Sequence, residues 1–235
     1  MIDPALLDGG LVVSCQPVPG GPLDRDDFVL AMAQAAAASG ARGLRIEGAE
    51  RVRLVSAALA LPVIGIVKRD LPDCAVRITP WLQDVDALCR AGAAVVAVDA
   101  TDRTRPVPVV ALFDRIRAHG CRAMADCATL ADGLAARDLG FDWIGSTLSG
   151  YTEATACAED SPPDWALVRA LRGHGCRVVA EGRIRTPAQA ARAVAEGAHA
   201  VTVGSAITRV EHVTAWFAAA MAGALADAAG PARPA

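Results

Sequence analysis

The 235-residue chain has the length of one α/β barrel, for which about 250 residues is typical, and its 53% hydrophobic content can fill a sizeable core. Aromatic content of 4% and a net charge of −3 argue against a nucleic-acid partner, and no uninterrupted run of about 18 apolar residues reads as a membrane span. MIDPALLDGG lacks a signal-peptide pattern, and seven cysteines without C-x-x-C spacing read as reduced thiols of a cytoplasmic protein.

In chain order, LVVSCQ (Leu11 to Gln16) is a first strand, and Asp26 to Ser39 a helix stopped near Gly40. GLRIEG (Gly43 to Gly48) is a second strand, Ala49 to Ala60 a helix, and VIGIVK (Val63 to Lys68) a third strand. A longer loop, Arg69 to Trp81, leads to a helix from Asp84 to Ala91. Strand VVAVDAT (Val95 to Thr101), helix Pro106 to His119, strand RAMADC (Arg122 to Cys127) and helix Thr129 to Leu139 follow. WIGST (Trp143 to Thr147) is the sixth strand, and a polar loop from Leu148 to Pro163 precedes the helix Asp164 to Arg172. VVAEG (Val178 to Gly182), a helix opened by the cap pair Thr186-Pro187, AVTVG (Ala200 to Gly204) and a final helix complete the chain.

Short, continuously apolar strands suit a parallel sheet buried on both faces, and eight strand–helix units suit closure into a (βα)8 barrel. A doubly wound open sheet is the alternative, but no G-x-G-x-x-G follows the first strand. One domain is expected over residues 1–229, with a disordered tail at 230–235. An internal repeat supports a barrel: His-Gly-Cys-Arg occurs at His119–Arg122 and at His174–Arg177. Each copy enters a strand carrying an acid, Asp126 or Glu181, and the following strand ends in Gly145-Ser146 or Gly204-Ser205.

The active site of such a barrel lies at the C-terminal strand ends. These ends carry Gln16, Arg45 with Glu47, Lys68, Asp99 with Thr101, Asp126, Thr147, Glu181 and Ser205. Lys68 is the only lysine among 23 basic residues. Unlike arginine, a desolvated lysine can become neutral and act as base or nucleophile. It shares parity with Ile64 and Ile66, so it faces the barrel interior if they do. EGRIRT (Glu181 to Thr186) and GSAITR (Gly204 to Arg209) occupy the loops after strands seven and eight, where such barrels bind phosphate. Glycine backbone there admits an anion closely, and Ser205, Arg183 and Arg209 can add donors. The four histidines are scattered, so neither metal nor cofactor is expected. The remaining chemistry is proton transfer beside a carbonyl, or Schiff-base formation.

The combination of SCQ, LRIEG, VIGIVK, VRITP, AVDATDRTRP, MADC-T, GSTLSGYT, EGRIRTPAQA and VGSAITR resembles the bacterial N-acetylmannosamine-6-phosphate 2-epimerases, in register from about Leu11 to Phe217. The resemblance implies a (βα)8 barrel that interconverts N-acetylmannosamine 6-phosphate and N-acetylglucosamine 6-phosphate in sialic acid breakdown. It implies Lys68 as catalytic base, with Glu181 assisting ring opening and proton movement. Gln16, Arg45, Asp126 and Arg209 would contact substrate, and Gly182, Arg183, Gly204 and Ser205 would hold phosphate. It also implies a homodimer, for which the Ala-rich final helix could supply the interface. Arg69-Asp70-Leu71 and Trp81 depart from the family pattern and put the loop after strand three in question. Two other readings stay open: a Schiff-base sugar-phosphate aldolase and a non-catalytic phosphosugar-binding protein.

Overall fold

The apolar runs become eight parallel strands that close on themselves in chain order, from β1 through to β8 and back. A computed structural model describes residues 7–158 and 160–229, without the side chains of 226, 227 and 229. The tail at 230–235 lies outside the described residues. The elements are β1 (Gly10–Cys15), α1 (Asp26–Ala38), β2 (Gly43–Glu47), α2 (Ala49–Ala58), β3 (Val63–Ile66) and α3 (Leu82–Arg90). Then come β4 (Val95–Asp99), α4 (Val109–Ala118), β5 (Arg122–Asp126), α5 (Leu130–Leu139), β6 (Trp143–Gly145) and α6 (Trp165–Gly173). β7 (Val178–Glu181), α7 (Pro187–Ala195), β8 (Ala200–Val203), α8 (Ser205–Thr208) and α9 (Val210–Ala229) finish the chain. The helix starts follow local chemistry: Thr129 and Thr186 each cap with the side-chain oxygen on the backbone N–H three residues on.

Period-two side-chain alternation splits the core in two. Val12, Ile64, Ile66, Val95, Ala97, Met124, Trp143, Val179 and Ala200 form one buried cluster inside the barrel. Their sequence neighbours Val13, Cys15, Leu44, Ile46, Val96 and Val98 join the cluster packed against the helices. Polar residues at the strand ends therefore take their direction from parity. Arg45, Asp99, Asp126 and Glu181 continue the inward-facing rows.

The His-Gly-Cys-Arg repeat encodes one turn used twice. In each copy the histidine ends a helix and the glycine takes a left-handed φ, +73° at Gly120 and +79° at Gly175. The cysteine is buried, and the arginine meets a carboxylate: Arg122 binds Asp142, and Arg177 binds Asp8.

Two expectations need correction. VIGIVK stops being a parallel strand at Ile66, because the residue pairs joining β3 to β4 are only Ile64–Val95 and Gly65–Val96. The chain instead folds back on itself. Val67 O accepts from the Thr79 N–H at 2.7 Å, Arg69 N–H donates to Arg77 O, and Lys68 bridges Ile78 in antiparallel fashion. The finger turns between Leu71 and Cys74, and Thr79 at its base takes φ +49° and donates its hydroxyl to Ala97 O at 2.7 Å. The atypical Arg69 clamps the buried Asp84, whose carboxylate also accepts from the Trp81 N–H. The second correction concerns the final helix, which is two helices. Extended backbone at Arg209 (φ −111°, ψ 89°) separates one-turn α8 from the 20-residue α9.

Candidate active site

A cavity of about 570 Å³ opens at the C-terminal mouth of the barrel. Its walls include Gln16, Lys68, Glu181, Gly182, Arg183, Gly204, Ser205 and Arg209. Eight of the ten residues that the resemblance assigns to the site thus share one space, with Thr147 beside them, while the strand-end residues Glu47, Asp99 and Thr101 are not on its wall. Arg45 and Asp126 do not line it. They are 1% and 0% exposed and lie beneath Glu181, joined by two hydrogen bonds: Nη1 to Oδ1 at 3.2 Å and Nη2 to Oδ2 at 2.6 Å. Both face inward, as parity requires, but one layer below the cavity surface. Spacing along a strand gives the face, not the depth.

Lys68 stands just past β3, its backbone N–H donating to Glu47 Oε1 at 3.3 Å. Lys68 is solvent-exposed at the mouth of the barrel, its side chain opening onto the cavity with protein around its remaining sides. Its pKa falls from 10.5 to about 8, first because burial penalises the ammonium, then because Arg45 and Arg209 repel it. Glu47 and Glu181 oppose the shift only in part. Across the site, Glu181 is lifted from 4.5 to about 7, chiefly by burial and further by Asp126. Arg45, whose Nη1 lies 3.4 Å from Glu181 Oε2, pulls the other way. Burial works against the Arg45 charge as well, but Asp126 and Glu181 outweigh it and hold the guanidinium protonated. An acid and a base are thereby brought near neutrality in one cavity, as proton-transfer chemistry requires.

Two polar atoms behind the cavity wall are buried without hydrogen-bond partners. Gln16 donates its Nε2 to Ser14 Oγ at 2.6 Å, which leaves its Oε1 without a partner. Thr202, 2% exposed on β8, has an unpartnered Oγ1 on the same wall. Buried polar atoms are costly when unpaired.

At the opposite side, Gly182 adopts φ +105°, a conformation L side chains rarely reach, as the chain leaves β7. Arg183 follows at φ +56°, on the cavity wall. Its Nη1 donates to Ser149 O at 2.5 Å and its Nε to Pro162 O at 3.2 Å, while the guanidinium sits 5.5 Å from the Tyr151 ring centre. The guanidinium thus ties together both ends of the β6–α6 loop at the edge of the cavity. A β-carbon on Gly150 would fall 2.1 Å from Arg183 Nη1, so this clamp needs glycine there. Arg209 donates Nε to Gln16 O at 2.9 Å, tying the β1 and β8 ends together.

Sequence reasoning did not single out Tyr151, Arg185, His212 or Trp216, which also line the cavity. Arg185 and Tyr151 lie inside the quoted EGRIRT and GSTLSGYT stretches but carry no signal that separates them from their neighbours, and His212 and Trp216 come from α9, beyond the strand ends and loops considered. No residue of the atypical 69–81 finger is on the cavity wall, so the departures there lie off the site. Among the described residues no cluster of three His, Cys, Asp or Glu side chains is arranged to hold a metal ion.

Comparison with known proteins agrees with this geometry. Residues 29–223 match the family described as "Putative N-acetylmannosamine-6-phosphate epimerase". Relatives carrying the corresponding 2-epimerase name include one from Yersinia pseudotuberculosis, 58% identical over 90% of this chain and 89% of its own. Another from Salmonella typhimurium is 56% identical over 91% and 93%. The solved N-acetylmannosamine-6-phosphate 2-epimerase from Clostridium perfringens superposes with a TM-score of 0.87 at 38% identity, covering 91% of this chain and 93% of that one. The deoxyribose phosphate aldolase from Aeropyrum pernix, at 17% identity and a TM-score of 0.64, shares the fold alone.

Proposed function

Since the chain belongs to the N-acetylmannosamine-6-phosphate epimerase family, we propose that it interconverts N-acetylmannosamine 6-phosphate and N-acetylglucosamine 6-phosphate by removing and returning the C2 proton. The observation that carries the mechanism is the pairing of Lys68 at about 8 with Glu181 at about 7 on the walls of one cavity. The C2 proton is acidic only once the pyranose has opened and C2 lies beside an aldehyde. Glu181 moves the proton that opens the ring, and neutral Lys68 then takes the C2 proton. Protonation of the enolate from the other face gives the epimer. Gln16, on the cavity wall, contacts the sugar. Gly182, Gly204, Ser205 and Arg209 receive the phosphate, and Arg183 contributes through the backbone and loop it holds. Arg45 and Asp126 act from beneath, through Glu181.

The test is an assay on N-acetylmannosamine 6-phosphate in deuterated water. Wild type is expected to deliver product labelled at C2, and Lys68→Ala to lose about 10³-fold or more in kcat. Unlabelled C2, or a fully active alanine variant, would overturn the mechanism.

The molecule has no helix among its described residues long and apolar enough to cross a membrane, and all seven cysteines are free, which supports a cytoplasmic enzyme. We further propose a homodimer built on α9. From Phe217 to Leu225 every residue of that helix is exposed, including Phe217, Met221 and Leu225 at 66–70%. Outside β8 and β1, where a barrel helix ordinarily packs, there is a groove of about 440 Å³ lined by Leu11, Val194, Val201 and Ile207. An apolar helix about 30 Å long from a second copy suits that groove. Light scattering on Met221→Asp/Leu225→Asp should report a monomer where wild type is a dimer; a monomeric wild type would refute it.

A further inference from the structure

Thr147 lies two residues past β6, on the cavity wall, and touches two acids at once. Its Oγ1 is 2.7 Å from Asp126 Oδ1 and 3.3 Å from Glu181 Oε2. Room for this hydroxyl is built into the strand: a β-carbon on Gly145 would sit 2.8 Å from Thr147 Oγ1 and 3.3 Å from Asp126 Oδ1. A hydroxyl carries one proton, so it can donate to only one of the two carboxyls at a time. If that proton points to Asp126, the contact with Glu181 is a hydrogen bond only when Glu181 itself is protonated and donates. If Glu181 is ionised, the contact is a hydrogen bond only when the proton turns toward it, and Asp126 Oδ1 then keeps Arg45 Nη1 at 3.2 Å.

We propose that Thr147 is the positioning residue that sets the proton state of Glu181, its hydroxyl facing Asp126 while Glu181 holds a proton and swinging to Glu181 once that proton has gone to substrate. The inference rests on the epimerase reading above. The Thr147 proton never leaves its oxygen. The proton exchanged with the substrate oxygen is the one on Glu181, and it returns there when the ring closes. The charged groups facing Glu181 are Arg45 from β2, Lys68 after β3 and Asp126 from β5; Thr147 is the neutral group that contacts both acids. Donation to the ionised carboxylate is the stronger of the two Thr147 contacts, so loss of the hydroxyl raises the pH at which Glu181 titrates.

The experiment compares wild type, Thr147→Val, Thr147→Ala and Thr147→Ser by pH profiles of kcat and by carbon-13 NMR titration of the glutamate carboxyls, with Glu181→Gln assigning the resonance. In both hydroxyl-free variants the Glu181 midpoint should rise by about 0.5 or more, and serine should restore it. The valine profile should shift along the pH axis as well as fall in height. An unmoved midpoint in Thr147→Val and Thr147→Ala, or an equal movement in Thr147→Ser, overturns the proposal. The NMR titration decides this even if wild type turns out not to epimerise the sugar, an outcome that would strike the functional reading instead.

Discussion

The ends of β4 and β7 each carry an inward-facing acid, and the two acids are treated in opposite ways. Asp99, 1% exposed, accepts from Arg103 Nη2 at 2.5 Å, Arg105 Nη2 at 3.2 Å, the Thr101 hydroxyl at 2.6 Å and the Thr101 N–H at 3.1 Å. Arg105 also donates to the backbone carbonyls of Asp99 and Thr101, which knots the whole DATDRTRP loop. Glu181 has a single arginine, shared with Asp126 at 3.4 Å, and a threonine hydroxyl at 3.3 Å, and it keeps 14% of its side chain open to the cavity. A carboxylate saturated with donors is a structural rivet. One left short of donors, partly buried and facing a cavity, is available for proton transfer.

Acid-to-amide substitutions at both positions can break this contrast. Glu181→Gln removes the proton carrier while keeping shape, and should lower kcat by about 10²- to 10⁴-fold with the fold intact by circular dichroism. Asp99→Asn should do the reverse. It strips the charge from a buried group that holds two arginines, and losing one partner of such a cluster costs about 3–5 kcal/mol, read as a lower urea midpoint. Its kcat per folded molecule should stay within about tenfold of wild type, since Asp99 is not on the cavity wall. Equal activity losses in the two variants would mean that counting donors does not separate structural from chemical acids here.

Much of the contrast was legible before the structure. Eight apolar runs, the repeated His-Gly-Cys-Arg turn and the parity of Lys68 with Ile64 and Ile66 locate the barrel and its catalytic mouth, because strand periodicity is a local property. Depth is not local. Nothing in LRIEG or RAMADC says that Arg45 and Asp126 pair under the cavity, since that depends on how closure brings β2 and β5 together across the barrel. Arg183 in EGRIRT reads as a phosphate donor, and its guanidinium also finds the carbonyls of Ser149 and Pro162, residues more than twenty positions away. The 69–81 finger was illegible for a different reason. It depends on Thr79 taking a positive φ, which a β-branched residue seldom does. And an Ala-rich apolar helix looks the same in sequence whether its own barrel or a second copy covers it, so the detachment of α9 could not be read.

The smallest effect sharpens the comparison most, because it is measured on stability rather than turnover. Glu181 is raised from 4.5 to about 7 in the fold, so the folded chain holds its proton more tightly than the unfolded chain does. Stability from this group is fully present below about 4.5 and is lost as pH rises through about 7. Lys68, lowered to about 8, runs the other way: its contribution is present above about 10.5 and lost as pH falls through about 8. Both penalties therefore coincide between pH 7 and 8, where the two charged groups coexist and where an acid–base pair is useful. Glu181→Gln removes one of them. The variant should match wild type near pH 4.5 and exceed it at pH 8, by at most about 3 kcal/mol in urea unfolding. A stability difference that stays flat from pH 4.5 to 8 would mean that ionised Glu181 costs the fold nothing, and the distinction between the riveted acid on β4 and the strained one on β7 would fail.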